Sequence, residues 1–366
     1  MSNNKKVLVI NTVSSKIDNG VYCILFNYAK CTCDLYEYDF ALAGFAENDA
    51  IARLKEIGKD VYIFHKSRVK NPFLYVQWLR KILQKKKYDI VHVHGNSGTM
   101  LLEIKTAKQC GVLERVCHCH STSSKFKLAH YILKTPLNHQ LTVAVACSKE
   151  AGKWLYTSDF TILNNGIYSE EYVYDERVRR EYRRELDLEG SFVIGHVGYM
   201  SEEKNQRFII GIAESLKQKI DNFKVLLVGD GALRSELELE VRSKSLSENV
   251  IFLGRRNDVA KLYSAMDAFI FPSKFEGFGL ALVEAQASGL RCIASDRVPE
   301  ATRVDSETRY ISLENKEKWI ELICSAYMSK EAVKREDVSN RSVVVIKKKG
   351  FDADSNRQKL INIYEG

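Results

Sequence analysis

The sequence predicts an α/β protein of two domains, each with a parallel β-sheet covered by helices. Three observations predict this. Short, continuous apolar runs alternate with helical stretches, the pattern of parallel strands that are buried on both faces. The alternation occurs twice, before and after Asn164-Asn165-Gly166 and the charged stretch 170–189. The 366 residues, 45% of them hydrophobic, suffice for about two domains.

The first series of elements lies before Gly166. Its strands are predicted over Lys6–Asn11, Tyr36–Ala43, Asp60–His65, Tyr88–His94, Arg115–His120 and Leu141–Ala146. Its helices are predicted near Val21–Ala29, Pro72–Lys86 and Thr99–Cys110. These strands read as apolar runs rather than as alternating patterns, which favours a sheet with helices on both faces.

The second series follows the charged stretch. Its strands are predicted over Phe192–Val197, Lys224–Val228, Val250–Leu253, Ala268–Phe271 and Cys292–Ser295. Its helices are predicted over Asn205–Gln218, Ala232–Ser243, Ala260–Ala265 and Gly279–Ser288. Since ligands of such folds bind beyond the carboxyl ends of the strands, a binding site is expected in the loops that follow them.

Composition argues against several classes of protein. No apolar run approaches the roughly 18 residues of a membrane span, and the four residues Val7–Ile10 are too few for the apolar region of a signal peptide. Nine cysteines without a Cys-x-x-Cys pair indicate reduced thiols. We therefore expect a cytoplasmic protein that is at most bound to a membrane surface.

The positive charge is concentrated in the first half. The chain through Asn165 carries +10, whereas the whole chain carries +8. Two basic clusters flank aromatic residues there: Lys66, Arg68 and Lys70, then Phe73, Tyr75 and Trp78, then Arg80, Lys81, Lys85, Lys86 and Lys87. This arrangement suits an anionic membrane surface, although a solvated helix face stays open. No nucleic-acid-binding motif accompanies it, so no nucleic-acid partner is expected.

The segment Ser273–Ala285 holds the densest group of candidate site residues. A predicted strand runs into a loop with Gly277 and Gly279 and then into a helix. Backbone amides at a helix N-terminus attract phosphate. The carboxylates of Glu276 and Glu284 can accept hydrogen bonds from sugar hydroxyls. Spacing alone also allows a helix cap with a surface glutamate.

The segment Cys117-His118-Cys119-His120 is a possible metal site. Residues two apart on a strand share a face, but structural zinc usually takes a second pair of ligands, and the sequence shows none. No metal is therefore expected. His118 is expected to face away from His120 and to be structural.

Glu276 and Glu284, with seven residues between them in Pro-Ser-Lys-Phe-Glu-Gly-Phe-Gly-Leu-Ala-Leu-Val-Glu-Ala, resemble the signature of the family 4 retaining glycosyltransferases. That family has the GT-B fold, two Rossmann-like domains facing each other across a cleft. His196-Val197-Gly198 with Glu203-Lys204-Asn205 resembles its phosphate loop. His118-Cys119-His120 and Gly350-Phe351-Asp352 resemble the branch found in bacterial capsular and exopolysaccharide operons.

The resemblance implies an N-terminal acceptor-binding domain, 1–167, and a nucleotide-sugar-binding domain, 168–350. It also implies that a final helix, about 351–366, packs back on the first domain. Glu276, His120 and Lys204 would be catalytic, with Glu276 on the transferred sugar and Lys204 neutralising the leaving diphosphate. The other donor-binding residues implied are Glu284 on the ribose, the amides of Gly277, Phe278, Gly279 and Leu280 on the distal phosphate, Arg255 near the base, and Gly20 in the first loop.

Tyr199 departs from the family pattern, which usually has an arginine after the glycine equivalent to Gly198. A phenol can hydrogen-bond a phosphate but has no fixed charge. Lys204 would then act alone, or Lys274 or Arg207 would take the missing role.

The resemblance thus implies a retaining hexosyltransferase that uses a nucleoside diphosphate sugar, with UDP expected, and needs no metal or other cofactor. The implied acceptor is a lipid-linked glycan at the inner face of the plasma membrane, in surface polysaccharide synthesis. Two alternatives are a catalytically silent sugar-nucleotide-binding partner of another transferase and a GT-B sugar-nucleotide epimerase. The sequence gives no prediction of donor sugar or oligomeric state.

Overall fold

The computed structural model describes residues 4–16, 19–124, 126–329 and 334–366. They form two compact units. The first unit comprises the described residues up to Ile167 together with Gly350–Gly366, and the second comprises Tyr168–Lys349 without the undescribed residues 330–333. The chain therefore leaves the first unit after Ile167 and returns to it at Gly350.

The first unit is built on a seven-stranded parallel sheet. In chain order its strands are β1 (Lys6–Asn11), β2 (Glu37–Leu42), β3 (Gly58–Ile63), β4 (Ile90–Gly95), β5 (Glu114–Cys119), β6 (Val143–Ala146) and β7 (Thr161–Ile162). Their order across the sheet is β3-β2-β1-β4-β5-β6-β7. The direction of winding therefore reverses between β1 and β4, as in Rossmann-like domains.

Six helices connect these strands: α1 (Gly20–Thr32), α2 (Asn48–Ile57), α3 (Pro72–Lys85), α4 (Leu101–Gln109), α5 (Lys127–Asn138) and α6 (Lys149–Leu155). Helix α4 packs between α3 and α5, whereas α1 packs against α2. Right-handed crossovers put α1 and α2 on one face of the sheet and α3, α4 and α5 on the other, because the chain winds in opposite directions on the two sides of β1. Helices α2, α5 and α6 are not among those predicted from the sequence.

The second unit repeats the plan with six parallel strands. They are β8 (Phe192–Val197), β9 (Phe223–Val228), β10 (Val250–Gly254), β11 (Ala268–Phe271), β12 (Arg291–Ser295) and β13 (Arg309–Ile311). Their order is β10-β9-β8-β11-β12-β13, so the winding reverses between β8 and β11. Its helices are α7 (Glu176–Glu185), α8 (Gln206–Leu216), α9 (Arg234–Ser243), α10 (Val259–Ala265), α11 (Leu280–Ala287), α12 (Lys316–Met328) and α13 (Arg335–Lys348).

The charged stretch 170–189 contains helix α7 rather than a linker. Arg179 and Arg183 of this helix reach Asp267, with N–O distances of 2.5 and 3.1 Å. Burial alone would raise the pKa of Asp267, but the two guanidiniums and the amide of Val193 hold that pKa below its ordinary value. Arg179 and Arg183 of this stretch thus tie α7 to the rest of the second unit.

The last helix, α14 (Arg357–Glu365), belongs to the first unit and packs against α1. Ion pairs fix its two ends, Arg357 to Asp34 at 2.6 Å and Glu365 to Lys5 at 2.7 Å. Tyr364, a residue of this helix, is buried. The prediction that the final helix packs on the N-terminal domain is confirmed.

Within the described part of the chain, no helix has both the length and the apolar character needed to cross a bilayer.

Candidate active site

The loops that follow β8 and β11 lie side by side, because these strands are neighbours where the winding of the second sheet reverses. The amide of Lys274 donates to the carbonyl of Glu203 at 2.7 Å. The side-chain amide of Asn205 donates to the carbonyl of Pro272 at 3.1 Å. These bonds hold Lys204 of the first loop next to Glu276 of the second.

Lys204 and Glu276 form an ion pair at the junction of the two loops. The distance between Lys204 Nζ and Glu276 Oε1 is 2.5 Å, and Ser273 Oγ donates to the same oxygen at 2.8 Å. The ammonium also lies 5.2 Å from the centre of the Phe271 ring. Because the Lys204 side chain is 25% exposed, an incoming anion can compete with Glu276 for its charge.

Helix α11 begins directly beyond this pair. Its first flanking residue, Gly279, has φ +95°, a left-handed conformation that favours glycine. Gly279 is the N-cap residue and has no side chain with which to cap the first turn of this helix. Its amides can therefore bind an anion. Gly277 is exposed and Phe278 is buried, so the loop presents backbone rather than side chains at Gly277.

Glu284 lies within α11 and is held by tyrosines. Tyr263 Oη donates to Glu284 Oε2 at 2.9 Å. Burial raises the pKa of Glu284, while hydrogen bonds from Tyr263 and Tyr172 and the charge of Lys204 oppose that rise. The sequence analysis named Glu284 but missed both tyrosines. Tyr263 belongs to the motif Tyr-Ser-Ala-Met-Asp, which is the signal that could have indicated it.

The ends of β8 and β9 approach so closely that only glycine fits. A Cβ on Gly229 would lie 2.2 Å from the Gly198 carbonyl oxygen, and Gly229 has φ +130°. A Cβ on Gly231 would lie 2.3 Å from the Met200 carbonyl oxygen. Gly229-Asp230-Gly231 thus shapes the loop after β8, which carries Tyr199.

The two residues considered as substitutes for the missing arginine both pair with acids. Arg207 points to α9, at 2.6 Å from Glu240 and 3.2 Å from Glu236. Lys274 pairs with Glu202 at 3.1 Å and is half-exposed. Among the three candidates, only Lys204 pairs with a predicted site residue.

Arg255 is exposed directly after β10, next to Gly254 with φ +64°. Its neighbour Arg256 is held in a bidentate pair with Asp258, at 2.8 and 2.7 Å. That pair lowers the pKa of Asp258 to about 2.

The remaining two predicted site residues lie in the first unit. Gly20 is exposed at the start of α1, where the Asn19 side chain accepts hydrogen bonds from the amides of Val21 and Tyr22. His120 directly follows β5, and its Nε2 lies 2.9 Å from His94 Nδ1. Burial lowers the pKa of His120 to about 4, opposed by the Asn165 side chain.

The prediction that His118 faces away from His120 is wrong. The two rings lie on the same side of the sheet with their centres 4.1 Å apart, as residues two apart on a regular strand must.

The two basic clusters are not uniformly exposed. Arg68 is buried against Glu103, and Lys86 pairs with Asp39 and Asp60 at 2.6 and 2.8 Å. Tyr75 is also buried, whereas Phe73 is 73% exposed. The count of charges and aromatics in the sequence thus overstates what a partner could contact.

The fold and the site define a class of protein. Two Rossmann-like units, with a lysine–glutamate pair at a helix N-terminus in the second, are the parts of the GT-B fold. Residues 178–340 match the family described as glycosyl transferases group 1. The chain thus carries a domain of this family, as the resemblance in its sequence implied.

Individual relatives agree with this assignment. The chain is 29% identical to the glycosyltransferase EpsF of Bacillus subtilis (strain 168), over 99% of this chain and 97% of that one. It is 30% identical to an Escherichia coli enzyme named UDP-Gal:alpha-D-GlcNAc-diphosphoundecaprenol alpha-1,3-galactosyltransferase, over 60% of each chain.

Solved structures share the fold at low identity. Anabaena HepE, crystallised with UDP and glucose, superposes with a TM-score of 0.82 at 18% identity, over 99% of this chain and 100% of that one. WaaG, a glycosyltransferase involved in lipopolysaccharide biosynthesis, has a TM-score of 0.72 at 17% identity, over 98% and 100%. Both alignments span nearly the whole chain and therefore include both units.

Proposed function

We propose that this chain is a retaining glycosyltransferase that moves a sugar from UDP to a lipid-linked glycan in surface polysaccharide synthesis. The observation that carries the proposal is the pairing of Lys204 with Glu276 beside the first turn of α11. The second unit would bind the donor and the first would bind the acceptor.

The donor's diphosphate would lie on the first turn of α11. Amides of Gly277, Phe278, Gly279 and Leu280 would bind the distal phosphate, in the way that helix N-termini bind anions. The half-buried carboxylate of Glu284 would accept hydrogen bonds from the ribose, and Tyr199 and Arg255 would lie along the nucleotide. UDP is the proposed carrier because HepE was crystallised with UDP-glucose and the E. coli relative is named for UDP-Gal.

Lys204 would supply the charge that the reaction needs. As the bond between the sugar C1 and the phosphate oxygen breaks, negative charge develops on the leaving diphosphate, and a preplaced ammonium stabilises it. Before donor binding the same ammonium neutralises Glu276. Donor binding would transfer Lys204 to the diphosphate and leave Glu276 to accept a hydrogen bond from the transferred sugar.

Retention would follow from a front-face reaction, as the resemblance implies. The acceptor oxygen would bond to C1 on the face that the diphosphate leaves, and the departing phosphate oxygen would take the acceptor proton. His120 would hydrogen-bond the sugar as a neutral imidazole, because burial lowers its pKa to about 4. No step is assigned to a metal.

A donor panel tests the transferase activity. UDP release is measured with several UDP-sugars and a membrane extract as the source of acceptor. We expect Lys204→Ala to lose about 10²- to 10³-fold in rate, the effect of removing one group that stabilises developing charge. The matched control is Lys244→Ala, which removes a lysine that is 29% exposed, close to the exposure of Lys204, and pairs with Glu214 at 2.6 Å; it should release UDP like the wild type.

If the wild type releases no more UDP than a Lys204→Ala/Glu276→Ala variant, the enzyme proposal fails. Tyr199 favours one alternative in that case, a catalytically silent sugar-nucleotide-binding partner of another transferase, because it stands where the family usually has a charge. Calorimetry separates the two: a silent partner binds UDP without releasing it from any donor.

The membrane partner would contact the face of the first unit formed by α3, α4 and α5. Leu128, Tyr131 and Ile132 form an exposed apolar stripe on α5, since residues three and four apart lie on one side of a helix. Exposed Phe73 stands at the start of α3. Exposed lysines accompany them: Lys70 before α3, Lys105 and Lys108 on α4, and Lys127 on α5. Apolar side chains beside lysines suit an anionic bilayer surface.

Vesicle sedimentation tests this surface. We expect binding to anionic but not to neutral phospholipid vesicles, and a loss of binding in Leu128→Ser/Ile132→Ser. The control is Leu239→Ser, which changes an equally exposed leucine of α9 in the second unit. Equal binding by both variants would contradict the proposed surface.

A further inference from the structure

Four histidines form a buried row in the first unit, and of these only His120 belongs to the proposed active site. His92 and His94 come from β4, and His118 and His120 come from the end of β5. Strands β4 and β5 are paired so that His94 lies opposite His118. Ring centres are 4.1 Å apart within each strand and 5.1 to 5.5 Å apart between strands. All four rings are buried.

Three of these rings converge. His92, His94 and His118 can each direct one ring nitrogen to a common centre, and those nitrogens lie within 4.8 Å of one another. The cluster includes no carboxylate. The thiols Cys117 and Cys119 lie on the opposite face of β5, in the core that includes α4. The ligand atoms at this centre are therefore imidazole nitrogens alone.

In two of these three histidines, the ring nitrogen Nδ1 already has a hydrogen-bond partner. His92 Nδ1 lies 2.8 Å from Tyr364 Oη, and His94 Nδ1 lies 2.9 Å from His120 Nε2. His92 Nε2 and both nitrogens of His118 have no hydrogen-bond partner among the described residues. Buried polar atoms without partners are unfavourable and indicate a missing ligand, ion or water.

We infer that His92, His94 and His118 bind a divalent transition-metal ion at the centre of the first unit. Three imidazoles suit Zn²⁺ and also Co²⁺, Ni²⁺ or Cu²⁺, whereas Mg²⁺ and Ca²⁺ prefer oxygen ligands. Binding Zn²⁺ at its usual Zn–N distance of about 2.0–2.1 Å requires the three nitrogens to move closer together, which small rotations of the rings allow.

The ion would fix the hydrogen bonds around it. With the metal on Nε2 of His94, the proton of that ring stays on Nδ1 and is donated to His120 Nε2. The remaining proton of His120 then lies on Nδ1. By the same reasoning His92 donates its Nδ1 proton to Tyr364 of α14. The site would thus set the tautomer of the proposed catalytic histidine and anchor the final helix, as outer partners of metal-binding histidines commonly do.

The sequence alone does not indicate this cluster, because no second pair of ligands stands next to Cys117-His118-Cys119-His120 in the chain. The second pair, His92 and His94, comes from the adjacent strand. Only the register of β4 against β5 brings the two pairs together.

Cobalt substitution tests the site. The full chain is produced without a polyhistidine tag in minimal medium supplemented with Co²⁺, because buried rings must acquire their ion during folding. We expect stoichiometric cobalt by elemental analysis and visible d–d absorption typical of tetrahedral nitrogen ligation. His118→Gln should lose both. The matched control is His130→Gln, which changes a buried histidine of α5 outside the cluster and should keep both.

Tyr364→Phe removes an outer partner while keeping all three ligands. We expect its metal affinity to fall by about 10- to 100-fold, measured by competition with a chelator. If His118→Gln does not fold, the cobalt spectrum of the wild type and the metal affinity of Tyr364→Phe test the inference instead. Wild-type chain without cobalt, or with a thiolate-to-cobalt band that shows sulfur ligation, would overturn the inference. None of these results depends on UDP release, so the transferase proposal is tested separately.

Discussion

The buried ion pair of Arg68 and Glu103 tests how the first unit uses its positive charge. Arg68 Nη1 lies 3.0 Å from Glu103 Oε1, and the side chains are 8% and 0% exposed. The guanidinium also donates to the carbonyl and the hydroxyl of Thr99, at 3.1 and 2.9 Å. Arg68 precedes α3 and Glu103 lies in α4, so the pair ties the loop before one helix to the next.

The expected effect of Arg68→Met follows from burial. The variant leaves the Glu103 carboxylate inside the protein without its partner, and breaking a buried pair in this way costs about 3–5 kcal/mol. Replacing both partners by apolar residues is often neutral, so Arg68→Met/Glu103→Leu should recover most of that loss. Lys70→Ala, which removes an exposed charge nearby, should stay within about 0.5 kcal/mol of the wild type.

Urea unfolding followed by far-ultraviolet circular dichroism measures these free energies of unfolding. Hydrogen exchange of the α4 amides shows whether the loss is local to this helix. The reasoning is refuted if Arg68→Met is as stable as Lys70→Ala, or if the double variant is no more stable than Arg68→Met.

Three further predictions concern the second unit. Asp267→Asn leaves the guanidiniums of Arg179 and Arg183 without their carboxylate, so urea unfolding should show a loss of about 3–5 kcal/mol. Because the pKa of Asp267 is lowered in the fold, its contribution is present above about pH 4 and lost as pH falls below that value. The wild type should therefore lose stability more steeply than Asp267→Asn between pH 5 and pH 3, about the range around the unfolded pKa, and equal slopes would contradict this. Gly229→Ala places a methyl group 2.2 Å from the Gly198 carbonyl oxygen at φ +130°; calorimetry should show UDP affinity at least about 10-fold lower, and unchanged affinity would contradict the proposed role of this loop.

The architecture could be predicted because its strands are buried on both faces. Every residue of β11, Ala268–Phe271, is apolar and buried, so its apolar character is continuous along the sequence. The helices α5 and α7 were missed for the opposite reason. Helix α5 leaves Leu128, Tyr131 and Ile132 exposed, and α7 buries only Tyr182 and Arg183. The apolar stripe of α5 thus faces the solvent and α7 has hardly any apolar residues, so neither helix has the core-facing apolar stripe of an ordinary surface helix.

The site could be predicted in its parts but not in its contacts. Glu276 and Glu284 stand in one short motif, and this spacing is visible in the sequence. The ion pair of Glu276 with Lys204 joins residues from two loops, and the hydrogen bond of Glu284 with Tyr263 joins two helices. Such pairings depend on which strands are neighbours in the sheet. A single sequence does not specify them.

The charge of the first half illustrates the same limit and sharpens the membrane proposal. Counting charges treats Arg68, which neutralises a buried carboxylate, like Lys70, which is exposed. Only exposed charge attracts a surface, because a paired and buried charge presents almost no field to the solvent. Binding to anionic vesicles should therefore depend on lysines beside the exposed apolar stripe of α5, and not on the total charge of the unit. The stable variant Arg68→Met/Glu103→Leu should bind such vesicles like the wild type, whereas Lys127→Ala should bind them more weakly.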